Sequence, residues 1–235
     1  MFISTATASD ERERASSVAV LPVGSFEQHG DHLPLSTDTL IASMIAGRLA
    51  EDYGLFLLSP VTIGCSHEHA GFPGTVSISA STLGLVVNDI RSSLAGAGIE
   101  RLAIVNAHGG NYVLSHVVQE ASVHDKTPLV LFPRSEDWAS ARALAGIETS
   151  NHADMHAGEA ETSILLARYP ELVRSSYVDS DEIADDRRHL LTLGMRGYTK
   201  SGVIGRPSLA SAEKGHRLLD AFSSIFQDHM ALLGA

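Results

Sequence analysis

The stretch VAVLPVGSFEQHGDHLPLSTDT, Val18–Thr39, decides the fold. Val18–Gly24 is an apolar run closed by glycine, the pattern of a short buried strand. Pro22 removes one backbone donor from it. The chain then turns polar, with Glu27, His29, Asp31, His32 and Asp38 between Gly24 and Thr39. From Thr39 to Ala50 the apolar residues Leu40, Ile41, Met44, Ile45 and Leu49 recur at helical spacing. Strand, polar loop and helix in that order are the repeating unit of an α/β fold.

The same alternation continues outward. Leu55–Ser59 reads as a second strand, stopped by Pro60, and Val76–Ile78 as another. Ser81 is placed to cap a helix bearing Leu83, Leu85, Val86, Ile90 and Leu94, which ends in Gly96–Gly98. Arg101–Asn106 and Pro128–Phe132 read as strands, and Asn111–His124, Glu136–Ala145 and Glu159–Ala167 as helices. Ser208 is placed to cap a long final helix with Leu218, Leu219, Phe222, Ile225 and Phe226 on one stripe. Strands apolar throughout predict a mostly parallel sheet with helices on both faces. Residues 18–235 read as one domain, with 170–207 as loops over one sheet edge and 1–17 as a polar arm.

Composition narrows the function. The chain has 235 residues, 44% hydrophobic and 19% charged, enough for a core without disulfides. No apolar run reaches membrane-spanning length. The polar arm lacks the apolar stretch of a secretory signal, so a cytoplasmic location is expected. A net charge of −11 argues against nucleic acid, whose binding rests on neutralising phosphates. The lone cysteine, Cys65, excludes an internal disulfide and reads as a small buried residue.

Chemistry-bearing residues collect in three places: Gly24–Thr39, NAHGGN at Asn106–Asn111, and HADMHAGEAETS at His152–Ser163. A smaller set, CSHEHAGFPGT, spans Cys65–Thr75. The first two directly follow predicted strands, and ligands of open α/β sheets bind outside the strands' carboxyl ends. Imidazoles with carboxylates suit zinc, manganese or iron. If Glu27–His29 is extended, its two side chains share a face about 6–7 Å apart. That spacing suits two ions about 3.5–4 Å apart better than one. Bland readings exist for each residue alone. Asp38 sits where a helix N-cap would, His32 can cover a turn, and Gly109–Gly110 can be a tight turn. Glu159 and Glu161 fall in a first helical turn, where acids are favoured anyway. Two clusters at two strand ends favour a shared site over all of these at once.

The motifs resemble the creatininase family. Glu27-Gln28-His29-Gly30, His32-Leu33-Pro34-Leu35 and Thr37-Asp38 are similar to its opening motif. Asn106–Asn111 resembles its central motif, with Ala107 in place of glycine. His69 with Phe72-Pro73-Gly74-Thr75, His156–Ser163, Gly202–Gly205 and Ala212–Gly215 follow in family order. The resemblance implies a three-layer α/β/α fold, a homo-oligomer that is often hexameric, and two divalent ions (zinc, manganese or iron). It implies Glu27, Asp38 and His108 on one ion and His29 with a bridging Asp38 on the other. Creatininase proper places a further carboxylate where this chain has Gly110, so Glu161 is the candidate replacement. His152 and Ala153 stand where creatininases carry Trp-Asp, and the sole tryptophan, Trp138, lies elsewhere in the sequence. The missing Trp-Asp pair points away from creatinine.

The resemblance implies hydrolysis of a carbon–nitrogen bond in a small amide, cyclic amide or formamide by a metal-held hydroxide. His156 is the expected general acid, with Glu161 assisting. Gly109 and Gly110 are expected to hold the oxyanion through backbone N–H groups, and His32 and His69 to line the pocket. Alternatives are a metallopeptidase of the mycofactocin-maturation type and a non-catalytic metal- or small-molecule-binding protein.

Overall fold

The computed structural model describes residues 3–124 and 128–234. Its centre is one four-stranded parallel sheet of β1 (Val18–Val23), β2 (Phe56–Leu57), β3 (Arg101–Asn106) and β4 (Leu129–Phe132). The strand order is β2-β1-β3-β4. Side chains alternate between the faces, as strand geometry demands. Val18, Val20, Ala103, Val105, Val130 and Phe132 enter one core. Ala19, Leu21, Val23, Leu102, Ile104 and Leu129 enter the other.

Helices cover both faces, giving the three-layer α/β/α arrangement. The first core is closed by α2 (Thr37–Tyr53), α5 (Ser135–Ala145), α6 (Glu159–Arg168) and α8 (Ala212–Leu233). There Phe132 meets Phe222 and Phe226 edge-on, with ring centroids 6.0 and 5.1 Å apart. The second core is closed by α3 (Ala80–Gly96) and α4 (Val113–His124). None of the described helices is long and apolar enough to cross a membrane.

Register is what positions the site. Val18 pairs with Arg101 and Val23 with Asn106, so β1 and β3 end level with each other. The loops after them, Gly24–Ser36 and Ala107–Tyr112, therefore leave the sheet side by side. Gly24 permits the close packing at that point, because a Cβ there would stand 2.4 Å from the Thr39 nitrogen at the start of α2. Asn111 ties the loops together. Its Nδ2 donates to the Gly24 carbonyl (3.1 Å) and to Asn106 Oδ1 (2.9 Å), while its Oδ1 accepts from the Cys65 nitrogen (2.8 Å).

Several local readings are corrected. Val76–Ile78 adds no strand to the sheet, because Val76 is half exposed and Ser77 turns back toward the loop. The segment makes only a single antiparallel bridge from Val76 to Phe26. Ser79 rather than Ser81 caps α3, accepting from the Thr82 nitrogen at 3.2 Å. Ser211 rather than Ser208 caps α8, accepting from the Lys214 nitrogen at 3.3 Å. Ser208 instead donates to Asp181. Helix α4 begins at Val113 because Asn111 is committed to its cross-ties. Within the polar arm, α1 (Ala8–Arg14) is a helix closed by a Thr7–Asp10 capping box and burying none of its residues. The 170–207 region holds one short helix, α7 (Leu190–Leu193), and several 3-10 turns. It does not simply cover a sheet edge. Its end runs back to the site, where Ile204 and His156 exchange backbone hydrogen bonds of 3.0 Å.

Candidate metal centre

Four segments converge beyond the level ends of β1 and β3. The loop after β1 brings Glu27 and His29, and reverses through Gly30 at φ 62°. The first turn of α2 brings Asp38. The loop after β3 brings His108, and the approach to α6 brings His156 and Glu161. Glu27, His29, Asp38, His108 and His156 are all buried.

Asp38 lies between the two halves of the cluster. Its Oδ1 stands 3.1 Å from His29 Nε2 and its Oδ2 stands 3.1 Å from His108 Nδ1. It is not the cap of α2. It lies inside the first turn, and its Oδ2 accepts from Ser25 Oγ at 2.6 Å. Glu161 Oε2 is 3.9 Å from His29 Nε2 and accepts from the Ala157 nitrogen at 2.7 Å.

The imidazoles are oriented by the backbone. His108 Nε2 donates to the Cys65 carbonyl (2.9 Å), His29 Nδ1 to the Glu27 carbonyl (3.1 Å) and His156 Nε2 to the Gln28 carbonyl (2.6 Å). With those N–H groups committed, the network assigns the other nitrogen of each ring to the cluster. A backbone carbonyl behind each imidazole is the support that metal-ligating histidines ordinarily have.

Donor atoms from Glu27, Asp38 and His108 lie within 4.8 Å of one another. So do those from His29, Asp38 and Glu161, and those from Glu27, His29 and His156. Both Glu27 carboxylate oxygens are buried without a hydrogen-bond partner. His69 Nε2 and His108 Nε2 stand 3.1 and 3.2 Å from them, close enough for attraction but off-line for hydrogen bonds. A buried carboxylate in that condition is costly unless a cation serves it. Bare cations are smaller than water and fit where water does not. The donor set therefore fits divalent ions.

Charge in the protein alone tells the same story. Burial pushes the Glu27 and Glu161 carboxyls up to about 7. Burial also opposes charge on His29 and His108, but Asp38 beside His29, and Glu27 with Asp38 beside His108, outweigh it. The two imidazoles are pushed up to about 9 and about 10. Asp38 is held well below the carboxylate range by the same two rings, against its burial. Protons occupy the place that cations would take.

The other expected site residues separate. His69 borders the opening of the cluster, as do Gly109 and Gly110. Gln28 Nε2 donates to His69 Nδ1 at 2.9 Å, and burial lowers His69 to about 3. His32 borders neither cavity at the site. It is buried, contacts the Ala157 carbonyl (3.1 Å) and Thr162 Oγ1 (3.3 Å), and is lowered to about 4 by burial. Two residues escaped the sequence reading. The Glu68 carboxylate lies over Gly110, where a Cβ would meet its Oε1 at 2.2 Å, and it stands 3.7 Å from His108 Nε2. Adjacency to His69 was its one signal. Trp138, remote in sequence, lines a cavity of about 350 Å³ that also touches His108, Gly109 and Glu161.

Comparison with known proteins places the chain in a family. The family model for creatininase (creatinine amidohydrolase) matches residues 4–228. The chain belongs to the creatininase family. It is, on that ground, a hydrolase of carbon–nitrogen bonds. It is 34% identical over 210 residues to a mycofactocin precursor peptide peptidase of Mycolicibacterium smegmatis, covering 86% of this chain and 79% of that protein. It is 29% identical over 219 residues to a creatinine amidohydrolase of Pseudomonas putida, covering 86% and 84%. A solved mutant creatininase of Zn-Zn type superposes with a TM-score of 0.81 at 25% identity, over 96% of this chain and 95% of that one.

Proposed function

We propose that this protein is a two-metal amidohydrolase that cleaves a carbon–nitrogen bond of a small amide, formamide or cyclic amide. The observation that carries the reading is the split environment of Asp38, one oxygen facing His29 and the other His108. Glu27, Asp38 and His108 would hold one ion, and His29, Asp38 and Glu161 the other. Divalent ions held there supply an acidified water and a Lewis acid for the amide carbonyl.

The chain's own groups do the rest. Glu161 is fixed by the Ala157 N–H, so its free oxygen keeps a set direction. Backbone N–H groups of Gly109 and Gly110 border the opening and would stabilise charge on the carbonyl oxygen. His156 would take a proton at Nδ1 and return it to the leaving nitrogen. Burial holds this imidazole well below its ordinary value, so it rests neutral and gives up a proton readily. The assembly proposed is a homo-oligomer. A second reading, cleavage of a peptide bond, is favoured by the higher identity to the peptidase (34%) than to the creatinine amidohydrolase (29%).

Elemental analysis of the purified protein and of Asp38→Ala tests the centre. The expected result is about two transition-metal ions per chain, lost in the variant. One ion or none, even after metal is added back, would overturn it. His156→Ala should keep both ions and lose roughly 10²–10⁴-fold in kcat. A panel of formamides, cyclic amides and short peptides separates the two substrate readings.

A further inference from the structure

The cavity of about 350 Å³ beside the centre is the right size for a small ligand. It opens at the carboxyl ends of β3 and β4 and shares His108, Gly109 and Glu161 with the opening of the cluster. One molecule can therefore occupy it and reach the metal ligands. Its walls have a clear inventory. Ala107, Pro133, Trp138 and Met155 are apolar surface. Arg142 and Asp154 cancel each other in a buried ion pair of 3.0 Å. Glu161 belongs to the centre. His108 does too, and Asn106, Ser135 and Asn151 are neutral. The remaining charge is Arg134, exposed on the rim just before α5, where it also borders a second cavity of about 210 Å³, and without an ion-pair partner among the described residues. The acids next to it in sequence, Glu136 and Asp137, do not line this cavity; Asp137 is committed elsewhere, Oδ2 accepting from the Arg134 backbone nitrogen at 2.8 Å and Oδ1 facing His229 at 3.4 Å.

From this we infer that the cavity is the substrate's anion subsite: Arg134 receives a carboxylate, the body of the molecule lies along Trp138, and its amide reaches the centre. The substrate class is an N-acyl amino acid or the carboxyl end of a short peptide, rather than a neutral amide. The inference rests on the amidohydrolase reading and specifies its substrate. A chain of net charge −11 repels anions at long range, so a carboxylate preference requires a local cation. An arginine fork is suited to carboxylates.

Trp138 is the only tryptophan and lines this cavity, with the Phe222 ring 4.7 Å from its own, so tryptophan fluorescence reports on ligand entering here. The probes are N-formyl-L-phenylalanine and its neutral counterpart, N-formyl-L-phenylalaninamide. They are titrated into the metal-loaded protein in a stopped-flow instrument and read before turnover. The carboxylate should bind about tenfold more tightly than the amide. Arg134→Gln should abolish that advantage by weakening the carboxylate alone, and Arg134→Glu should reverse it. Equal binding of the two probes, binding of neither, or an advantage that survives Arg134→Gln overturns the subsite. Metal content of the same samples is measured separately. Two ions with no carboxylate preference sinks the subsite and leaves the metal centre standing, whereas absence of ions counts against the centre itself.

Discussion

Glu159 and Glu161 are two residues apart in the first turn of α6, and they lie in opposite kinds of surroundings. Glu159 is saturated. It accepts from the Glu148 and Thr149 nitrogens, from Thr149 Oγ1 and from Lys214 Nζ, which stands 2.6 Å away. Asp154 nearby is satisfied in the same way, by the Glu159 and Ala160 nitrogens and by Arg142. Glu161 turns to the other side, toward His29 and Asp38, in a cluster where neither oxygen of the Glu27 carboxylate has a hydrogen-bond partner. Buried charge that the protein itself satisfies holds the fold together. Buried charge left unsatisfied is reserved for something else.

That contrast can be broken by experiment. Glu159→Gln should be the most damaging to the fold. It removes the buried partner of Lys214, whose Nζ keeps Glu148 at 3.0 Å and the Leu209 carbonyl at 2.9 Å, and should cost about 2 kcal/mol, read as a lower Tm, with metal content unchanged. Loss of metal without loss of stability would mean that the two glutamates had been assigned the wrong way round.

The next effect is one of pH, measured on chelated protein. His29 and His108 hold protons in the folded state up to about 9 and about 10, above their unfolded value near 6.5. The folded state then binds more protons than the unfolded one above that value. Stability should fall as pH rises from about 6.5 through about 10. Metal-loaded protein should lack this decline, and metal added near neutral pH should release protons. A Tm of chelated protein that stays flat over the same range contradicts the charge arrangement.

The smallest expected effect on stability is that of Glu27→Gln in chelated protein. Burial already pushes this carboxyl up to about 7, so the neutral amide removes an unfavourable charge. The variant should unfold at the same temperature as the chelated parent or a slightly higher one, while its metal content falls. A clear drop in Tm would class Glu27 with Glu159 as a structural residue.

Much of the site was legible because its residues lie within motifs attached to strand ends. Glu27, His29, Asp38, His108, His156 and Glu161 were all named from the sequence, and the fold brings their side chains into one cluster. Glu68 was missed because its relevance comes from the space over Gly110, which belongs to a different loop. Trp138 is remote from the motifs in sequence, yet the start of α5 places it beside the centre. His32, expected to line the pocket, lies beyond the turn at Gly30 and contacts Ala157 and Thr162 instead. Val76–Ile78 had a strand's alternation without a strand's burial.

The sequence by itself determined the α/β class, the strands that are apolar throughout and the ligand types at their carboxyl ends. Those features are written in local periodicity and in which residue types follow each strand. Only the tertiary structure decided which glutamate is tied into the fold and which faces the buried His–carboxylate cluster, which histidines offer a free nitrogen, and where the cavity lies. Each of those depends on a backbone carbonyl, an amide or a cation supplied by a distant segment, and no pattern within one segment specifies its partner in another.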